Sequence, residues 1–228
     1  MISISDLHFS YPRQGPGASA FGMRVDSLDV SAGSSTAVVG PSGSGKTTLL
    51  GLIAGTLRAE SGTINVNDEV ITTLDAGELG QFRIRNVGQV FQAFELLNYL
   101  TVVENVMLPW YIDGRGRKDS ARKRAAELLR DVGLDSKLSA RPGELSQGEQ
   151  QRVAVCRAML NNPRVLLADE PTGNLDQENK QNVVDLLVEQ ARKNSSTLLM
   201  VTHDESLLNK FDTVLDMRGI SSSLIAKN

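Results

Sequence analysis

Gly40-Pro41-Ser42-Gly43-Ser44-Gly45-Lys46-Thr47 is the stretch on which the reading of this chain turns. It matches G-x-x-x-x-G-K-[ST], a phosphate-cradling loop, and its flanks have the order the loop requires. Before it, Thr36 to Val39 reads as a short buried strand ended by Gly40. After it, a helix starting near Gly45 carries Leu49, Leu50 and Ile53. Glycines let backbone N–H groups curl around an anion, and the helix N-terminus adds the positive end of its dipole. Lys46 then supplies a point charge to the β- and γ-phosphates of a nucleotide, and the Thr47 hydroxyl supplies a ligand for Mg²⁺. The whole run, Gly40 through Thr48, is the expected phosphate site.

Such a loop needs an acid on a neighbouring strand. Val165-Leu166-Leu167-Ala168-Asp169-Glu170 provides one. Its apolar run suits a parallel strand buried on both faces. Ligands collect at the carboxyl ends of such strands, where Asp169 and Glu170 emerge. Asp169 is expected to hold Mg²⁺ through water, and Glu170 to polarise the attacking water. Capping of the next helix is the plain alternative for this acidic pair.

Around these two points the chain alternates. Ile2, Ile4, Leu7 and Phe9 predict a first strand over 2–9, residues 12–22 a Gly/Pro/Ser-rich loop, and 25–30 a second strand. Strands are expected at 62–66 and 87–91. From 93 to 160 helical patterns take over, which predicts an inserted helical subdomain. The core and a β subdomain then occupy 1–92 and 161–228. After the insertion come a strand at 165–168, a helix over 177–192, and strands at 197–201, 213–217 and 223–226. Arg122-Lys123-Arg124 reads as the solvated face of a helix.

Composition narrows the class. With 228 residues the chain can bury a substantial core. A net charge of −3 argues against binding nucleic acid by bulk charge. The N-terminus lacks the basic and apolar regions of a signal peptide, and no apolar run approaches the roughly 20 residues that span a bilayer. The expectation is a cytoplasmic protein that reaches a membrane only through a partner. Cys156 cannot pair with another cysteine in the chain and reads as a small buried thiol. His8, in the alternating first strand, reads as structural.

Many phosphate-loop proteins share the first two motifs. Leu145-Ser146-Gln147-Gly148-Glu149-Gln150-Gln151-Arg152 resembles the signature of the ABC ATPases, usually L-S-G-G-Q, and ends 17 residues before Asp169 (169 minus 152). The same residues also read as a capping box opening a helix, which is itself an anion site. The rest of the family set follows in order. Tyr11 resembles the aromatic that stacks on adenine, though alone it would pass for a packing residue. Gln92 resembles the Q-loop glutamine that contacts the metal. Asn174-Leu175-Asp176 resembles the D-loop, and His203 the switch histidine. The resemblance spans essentially the whole chain. Gln147 and Glu149 depart from the usual signature, while Ser146 and Gly148 keep the groups that can approach a γ-phosphate.

The resemblance implies an α/β fold: a P-loop NTPase core, an antiparallel β subdomain and the helical insertion. It implies an ATPase using ATP and Mg²⁺, with Lys46, Glu170 and His203 catalytic. Tyr11, Gly40 to Thr48, Gln92, Ser146, Gln147, Gly148, Glu149 and Asp176 would contact nucleotide; Thr47, Gln92 and Asp169 would serve the metal. It implies a head-to-tail homodimer and a membrane-embedded permease partner. Ala168 to Asp176 and Thr101 to Val106 look like the ATPases of lipoprotein-releasing, macrolide-exporting and cell-division systems. A soluble repair or translation ATPase is the alternative. Repair types carry long coiled coils and translation types usually two cassettes, whereas this chain has one P-loop and no heptad array. A non-hydrolysing regulatory module would not need both Glu170 and His203. Phe94, Leu96, Leu97 and Tyr99 form an apolar group that either packs the core or lines a groove for a helix of the membrane subunit.

Overall fold

The computed structural model describes residues 1–12 and 21–220. The expected loop at 12–22 lies mostly outside them, and the expected strand at 223–226 wholly so.

An antiparallel sheet opens the chain. β1 (Ile2–Ser10) pairs with β2 (Gly22–Val30), β4 (Ser61–Val66) lies on its other side, and β5 (Glu69–Val70) pairs with β4. The apolar alternation of β1 slips one residue between Ile4 and Leu7. Asp6 absorbs the slip with φ +49, and the pairing with β4 shifts between Ser5 and His8. Such a bulge returns Leu7 and Phe9 to the buried face already holding Ile2 and Ile4. Gly62 crosses this point, where a Cβ would fall 2.4 Å from the Asp6 carbonyl oxygen.

The second sheet is parallel throughout. β3 (Ser35–Val39) leads into α1 (Lys46–Ile53), and α2 (Ala76–Asn86) runs straight into β6 (Val87–Phe91). Then come α3 (Val102–Val106), α4 (Leu108–Asp113), α5 (Lys118–Asp131) and α6 (Gln147–Met159). β7 (Val165–Asp169), α7 (Gln177–Lys193), β8 (Thr197–Val201), β9 (Thr213–Asp216) and α8 (Met217–Ile220) complete the described chain. The sheet order is β6-β7-β8-β3-β9. The expected strand over 213–217 thus ends at Asp216, and Met217 begins a helical turn.

The inner strands β7 and β8 are covered on both faces and are near-continuous apolar runs. Along β7, Val165 and Leu167 face the cluster shared with α1 and the antiparallel sheet. Leu166 and Ala168 face the cluster shared with α3, α5, α6 and α7. Each such fully buried leucine is worth about 1.5–3 kcal/mol of transfer free energy. No element is expected from the sequence between 66 and 87, yet α2 forms there. It buries only Leu79 and Phe82, and its start is fixed by reciprocal Asp75 and Glu78 hydrogen bonds. Cys156 is buried, as expected. Burial pushes its thiol up to about 12, which keeps it protonated and inert.

Candidate active site

Four parallel strands deliver the site. β3, β6, β7 and β8 end in the P-loop, Gln92, the Asp169-Glu170 pair and His203.

The P-loop is a close-packed cradle. At Gly40 (φ +151) a Cβ would lie 2.9 Å from Ser44 Oγ and 3.0 Å from Met217 Cβ. At Gly45 (φ +93) it would lie 2.9 Å from Phe21 Cζ. Glycine is therefore required at both by backbone and by space. Lys46, nearly buried, donates from Nζ to the carbonyls of Gly40 (2.9 Å) and Pro41 (3.0 Å). These contacts hold its ammonium over the loop. α1 has no acid in its first turn, so its N-terminal charge is not offset there. Ser44 Oγ is buried and finds no hydrogen-bond partner among the described residues.

Tyr11 stands at the rim. Its ring meets Phe9 edge-on at 4.8 Å, and its hydroxyl lies 3.3 Å from Thr48 Oγ1. The ring is partly exposed and held from both sides. A cleft of about 350 Å³ runs between Tyr11, Phe21, the loop residues Ser42, Gly43, Lys46 and Thr47, and Glu170. A second, of about 260 Å³, joins Tyr11 and Thr47 to Asp169.

Asp169 ends β7, half-buried. Burial pushes its carboxyl above the ordinary carboxylate range; the Thr47 hydroxyl pulls against that shift, Glu170 adds to it and Lys46 opposes it. Among the described residues no three His, Cys, Asp or Glu side chains form a cluster. What the cleft offers is a hydroxyl beside a single carboxylate. That hard, sparse oxygen set fits Mg²⁺, which takes one or two protein oxygens and finds the rest on phosphates and water.

The raised carboxyl has a consequence for stability. Its ionised form is disfavoured by the fold, so stability present at low pH is lost as pH rises through the carboxylate range. Asp169→Asn removes that loss. The variant should melt at or above the wild-type temperature at pH 7 and alongside it below the ordinary carboxylate range, while Mg²⁺-dependent turnover falls about ten- to hundredfold. Calorimetry at both pH values and a phosphate-release assay check the two halves.

Glu170 is the strained residue. Its φ is +46, in the left-handed region that side-chain-bearing residues rarely adopt. Its N–H donates to Val201 O at 3.2 Å, and its carbonyl accepts from Gly173 N at 3.1 Å. Oε2 lies 3.5 Å from Nδ1 of the exposed His203. The two side chains therefore stand together, with Glu170 bordering the cleft.

Gln92 is placed differently from Thr47 and Asp169. Its side-chain amide donates to Asn174 Oδ1 (3.3 Å), and Asn174 Nδ2 donates to the Gln92 carbonyl (3.2 Å).

The signature opens α6. Ser146 Oγ accepts from Glu149 N (3.2 Å) and Glu149 Oε2 accepts from Ser146 N (2.8 Å). Glu149, unusual for the signature, closes the capping box, and the Ser146 backbone bond lowers its carboxyl pKa. Gln147 is exposed. Gly148 is buried, and a Cβ there would fall 2.7 Å from Asn179 Oδ1. Asp176 N-caps α7, accepting from Asn179 N (2.9 Å) and Asn179 Nδ2 (2.8 Å). Signature and D-loop thus meet through Asn179. None of Ser146 to Glu149 borders either cleft at the P-loop.

Comparison with known proteins settles the family. The ABC transporter family model matches residues 23–173. The chain is 41% identical over 212 residues to lipoprotein-releasing system ATP-binding protein LolD 1 of Rhodopirellula baltica, covering 93% of this chain and 91% of that one. It is 46% identical over 199 residues to the LolD protein of Syntrophotalea carbinolica, covering 85% and 87%. The chain belongs to the ABC transporter ATP-binding family. A dimeric ATP-binding cassette in a post-hydrolysis state, bound to ADP and phosphate, superposes with a TM-score of 0.83 at 32% identity, covering 95% of this chain and 94% of that one. This chain is accordingly an ATP-hydrolysing cassette with the P-loop NTPase fold of the ABC type.

Two residues of this ABC cassette's site escape the motif reading. Phe21 lines the cleft against Gly45, but it sits at the end of a loop whose path no pattern fixes. Gln151, fully buried in α6, donates to Phe91 O (3.4 Å), tying the signature helix to the strand before Gln92. Its position one turn into a helix gives no sign of that. No helix among the described residues is long and apolar enough to cross a membrane.

Proposed function

We propose that two copies of this chain sandwich ATP head to tail and drive conformational change in a membrane-embedded permease, working at the cytoplasmic face of the membrane. The observation that carries this reading is the separation of the signature from the P-loop clefts. A γ-phosphate bound by one copy can then meet Ser146 and Gly148 only if a second copy brings them. ATP closes such a dimer, and loss of the γ-phosphate opens it.

Within each site Tyr11 stacks on adenine, worth about 1–3 kcal/mol with little choice among bases. Backbone groups of Gly40 to Thr48 and the Lys46 ammonium hold the β- and γ-phosphates. Thr47, Asp169 and Gln92 would hold Mg²⁺, which when bound offsets phosphate charge. Glu170 orients and polarises the attacking water, and His203, beside it, contacts the γ-phosphate. Gln147 and Glu149 shape the signature turn, and Asp176 borders the nucleotide across the dimer. Segment 93–160 is the signature-bearing helical subdomain, set against a core formed by 1–92 and 161–228. The lipoprotein-releasing relatives favour a permease that ATP moves mechanically.

The permease needs a docking surface. Phe94 and Leu96 pack partly against the core, while Tyr99 is exposed. Leu97 is held by its backbone: its N–H donates to buried Asn105 Oδ1 (2.7 Å), and its carbonyl accepts from Asn105 Nδ2 (3.1 Å). Beside them lies an open, mostly apolar groove of about 280 Å³ between α2, β6 and α4, lined by Ile84, Phe91, Leu108, Pro109 and Ile112. Ile112 is 73% exposed. Apolar surface of this kind, next to Gln92, suits a short cytoplasmic helix of the permease.

Ile112→Asp tests the reading. Melting temperature and ATPase activity of the free cassette should stay near wild type, while permease co-purification and transport are lost. Full transport by the variant would move the docking surface elsewhere; equal loss of folding and ATPase would make Ile112 a packing residue.

A further inference from the structure

α4 is an apolar helix with no buried residue. All but the last of its residues, Leu108-Pro109-Trp110-Tyr111-Ile112, are apolar or aromatic, yet none is fully covered. Leu108, Pro109 and Ile112 border the groove assigned above to the permease, whereas Trp110 and Tyr111 do not. Trp110 packs partly against the core, and its ring meets that of Tyr111 at 5.2 Å. Tyr111 is 45% exposed beside the exposed Ile112.

The chain then turns back over these rings. Gly114 (φ +68) and Gly116 (φ +80) take the left-handed backbone that the reversal needs. The Gly116 carbonyl accepts from Trp110 Nε1 at 3.4 Å, and Lys118 Nζ stands 6.0 Å from the centre of the Tyr111 ring. The reversal thus sets the start of α5 beside α4 and brings cations to the edge of the apolar patch. Arg115, Arg117, Lys118, Arg122 and Lys123 are exposed, with Lys118 and Arg122 one turn apart on α5.

The acids of this area leave that charge largely uncompensated. Asp113 is taken up by Arg85 and Arg115, each at 3.2 Å. Glu104 closes the Thr101 capping box and lies within electrostatic reach of Lys118 and Arg122. Asp119 is exposed. Among the described residues Arg117, Lys118, Arg122 and Lys123 form no ion pair. Across 111–123 five cations stand against two acids, in a chain whose net charge is −3. A local positive excess beside exposed aromatic and aliphatic surface matches one kind of partner in both respects. Tyr and Trp rings favour the headgroup level of a bilayer, and Lys and Arg beside them are drawn to anionic headgroups.

We infer that the end of α4 and the start of α5 rest on the anionic surface of a lipid bilayer, with Tyr111 at the acyl boundary and Arg117, Lys118 and Arg122 on the headgroup phosphates. The attraction of a few cations fades within about 10 Å at 0.1 M salt, so the contact orients the cassette and does not anchor it. Through Ile112 the patch is continuous with the permease groove, and a cassette docked there would turn this face to the membrane. The lipid contact itself needs only this chain.

Trp110 is the chain's only tryptophan, so the patch carries its own reporter. The purified chain is floated with vesicles of phosphatidylglycerol and phosphatidylcholine, and with phosphatidylcholine alone, at low and high salt. It should float with the anionic vesicles at low salt only, and lipids brominated on their acyl chains should quench Trp110 fluorescence. Arg117→Gln combined with Lys118→Gln should weaken partition into anionic vesicles about five- to thirtyfold. Tyr111→Ser should weaken it about three- to tenfold and keep its salt dependence. Both variants should keep the ATPase activity of the free cassette, because none of the three residues borders a nucleotide cleft. A wild-type chain that ignores anionic vesicles, or floats equally with neutral ones, would overturn the inference. So would wild-type partition in either variant, or flotation without Trp110 quenching. Binding to single-stranded DNA as tight as to anionic vesicles and unaffected by Tyr111→Ser would make the face a general polyanion patch and overturn it too. Should Tyr111→Ser melt early, the double glutamine variant, which removes no packing, decides alone. The permease reading is tested separately, since Ile112→Asp is read by co-purification in detergent, where no bilayer is present.

Discussion

Glu170→Gln should lose about a hundred- to ten-thousandfold in ATP turnover while keeping its affinity for ATP. The amide matches the carboxylate in shape but cannot accept a proton from the attacking water, and a positioned general base contributes about that factor. The site around it should survive. Glu170 is anchored by its backbone, through its N–H to Val201 O and its carbonyl to Gly173 N, and neither bond involves the side chain. The left-handed φ of +46 is likewise a backbone property that glutamine inherits. Because ATP is bound and not consumed, the variant should accumulate as a closed dimer, visible by size exclusion with ATP and absent with ADP. The same contact predicts a smaller defect for His203→Ala, since His203 is exposed and meets Glu170 only at 3.5 Å. Wild-type turnover by Glu170→Gln would take Glu170 out of its assigned role.

Lys46→Ala should fail at an earlier step, binding. The ammonium bonds Gly40 O and Pro41 O and lines the cleft, so its loss removes both a charge for the phosphates and a brace for the loop. A hydrogen bond to a charged group is worth about 1.5–3 kcal/mol, which corresponds to ATP affinity about ten- to 150-fold weaker. Turnover should fall with it, and no ATP-dependent dimer should form. Lys46→Arg separates the two roles. It keeps the charge, but a wider guanidinium cannot fit the nearly buried seat above the two carbonyls, so it should not restore affinity. Equilibrium binding of a fluorescent ATP analogue decides. Wild-type affinity in Lys46→Ala would show that backbone N–H groups alone hold the phosphates.

The parts of the molecule legible in its sequence are those governed by local rules. The strands Val165–Asp169 and Thr197–Val201 fall close to where their apolar runs place them, because strands buried on both faces carry near-continuous apolar residues. The P-loop is legible because its glycines and lysine stand at a spacing fixed by phosphate geometry. α2 is not legible, since two buried side chains and two glycines leave almost no periodicity to detect. The slip of β1 at Asp6 shows in the sequence as a break in alternation, but only pairing with β4 turns that break into a bulge.

The site is legible residue by residue and not as a constellation. Asp176 reads as a nucleotide contact, and the structure adds that it caps α7 and restrains Asn179. Glu149 reads as a departure from the signature, and its carboxylate closes the Ser146 capping box. Gln92 reads as a metal contact, while its amide lies against Asn174. The Ser146–Glu149 capping box is legible from its spacing; what leaves no spacing pattern is a partner distant in sequence, as Asn174 is for Gln92.

The sharing of each ATP site between two chains is tested most directly by mixing Lys46→Ala with Ser146→Arg. The first loses the phosphate charge; the second puts a long side chain at the start of the signature helix. Each homodimer then has two broken sites. In the mixed dimer one site pairs both defects, and the other pairs intact Lys46 of one chain with intact Ser146 of its partner. Two different tags first establish that mixed dimers form, and nucleotide occlusion is then measured in the purified mixed species. One occluded ATP per mixed dimer, with none in either homodimer, is the result this account predicts. Mixed dimers that form but occlude no nucleotide would contradict it.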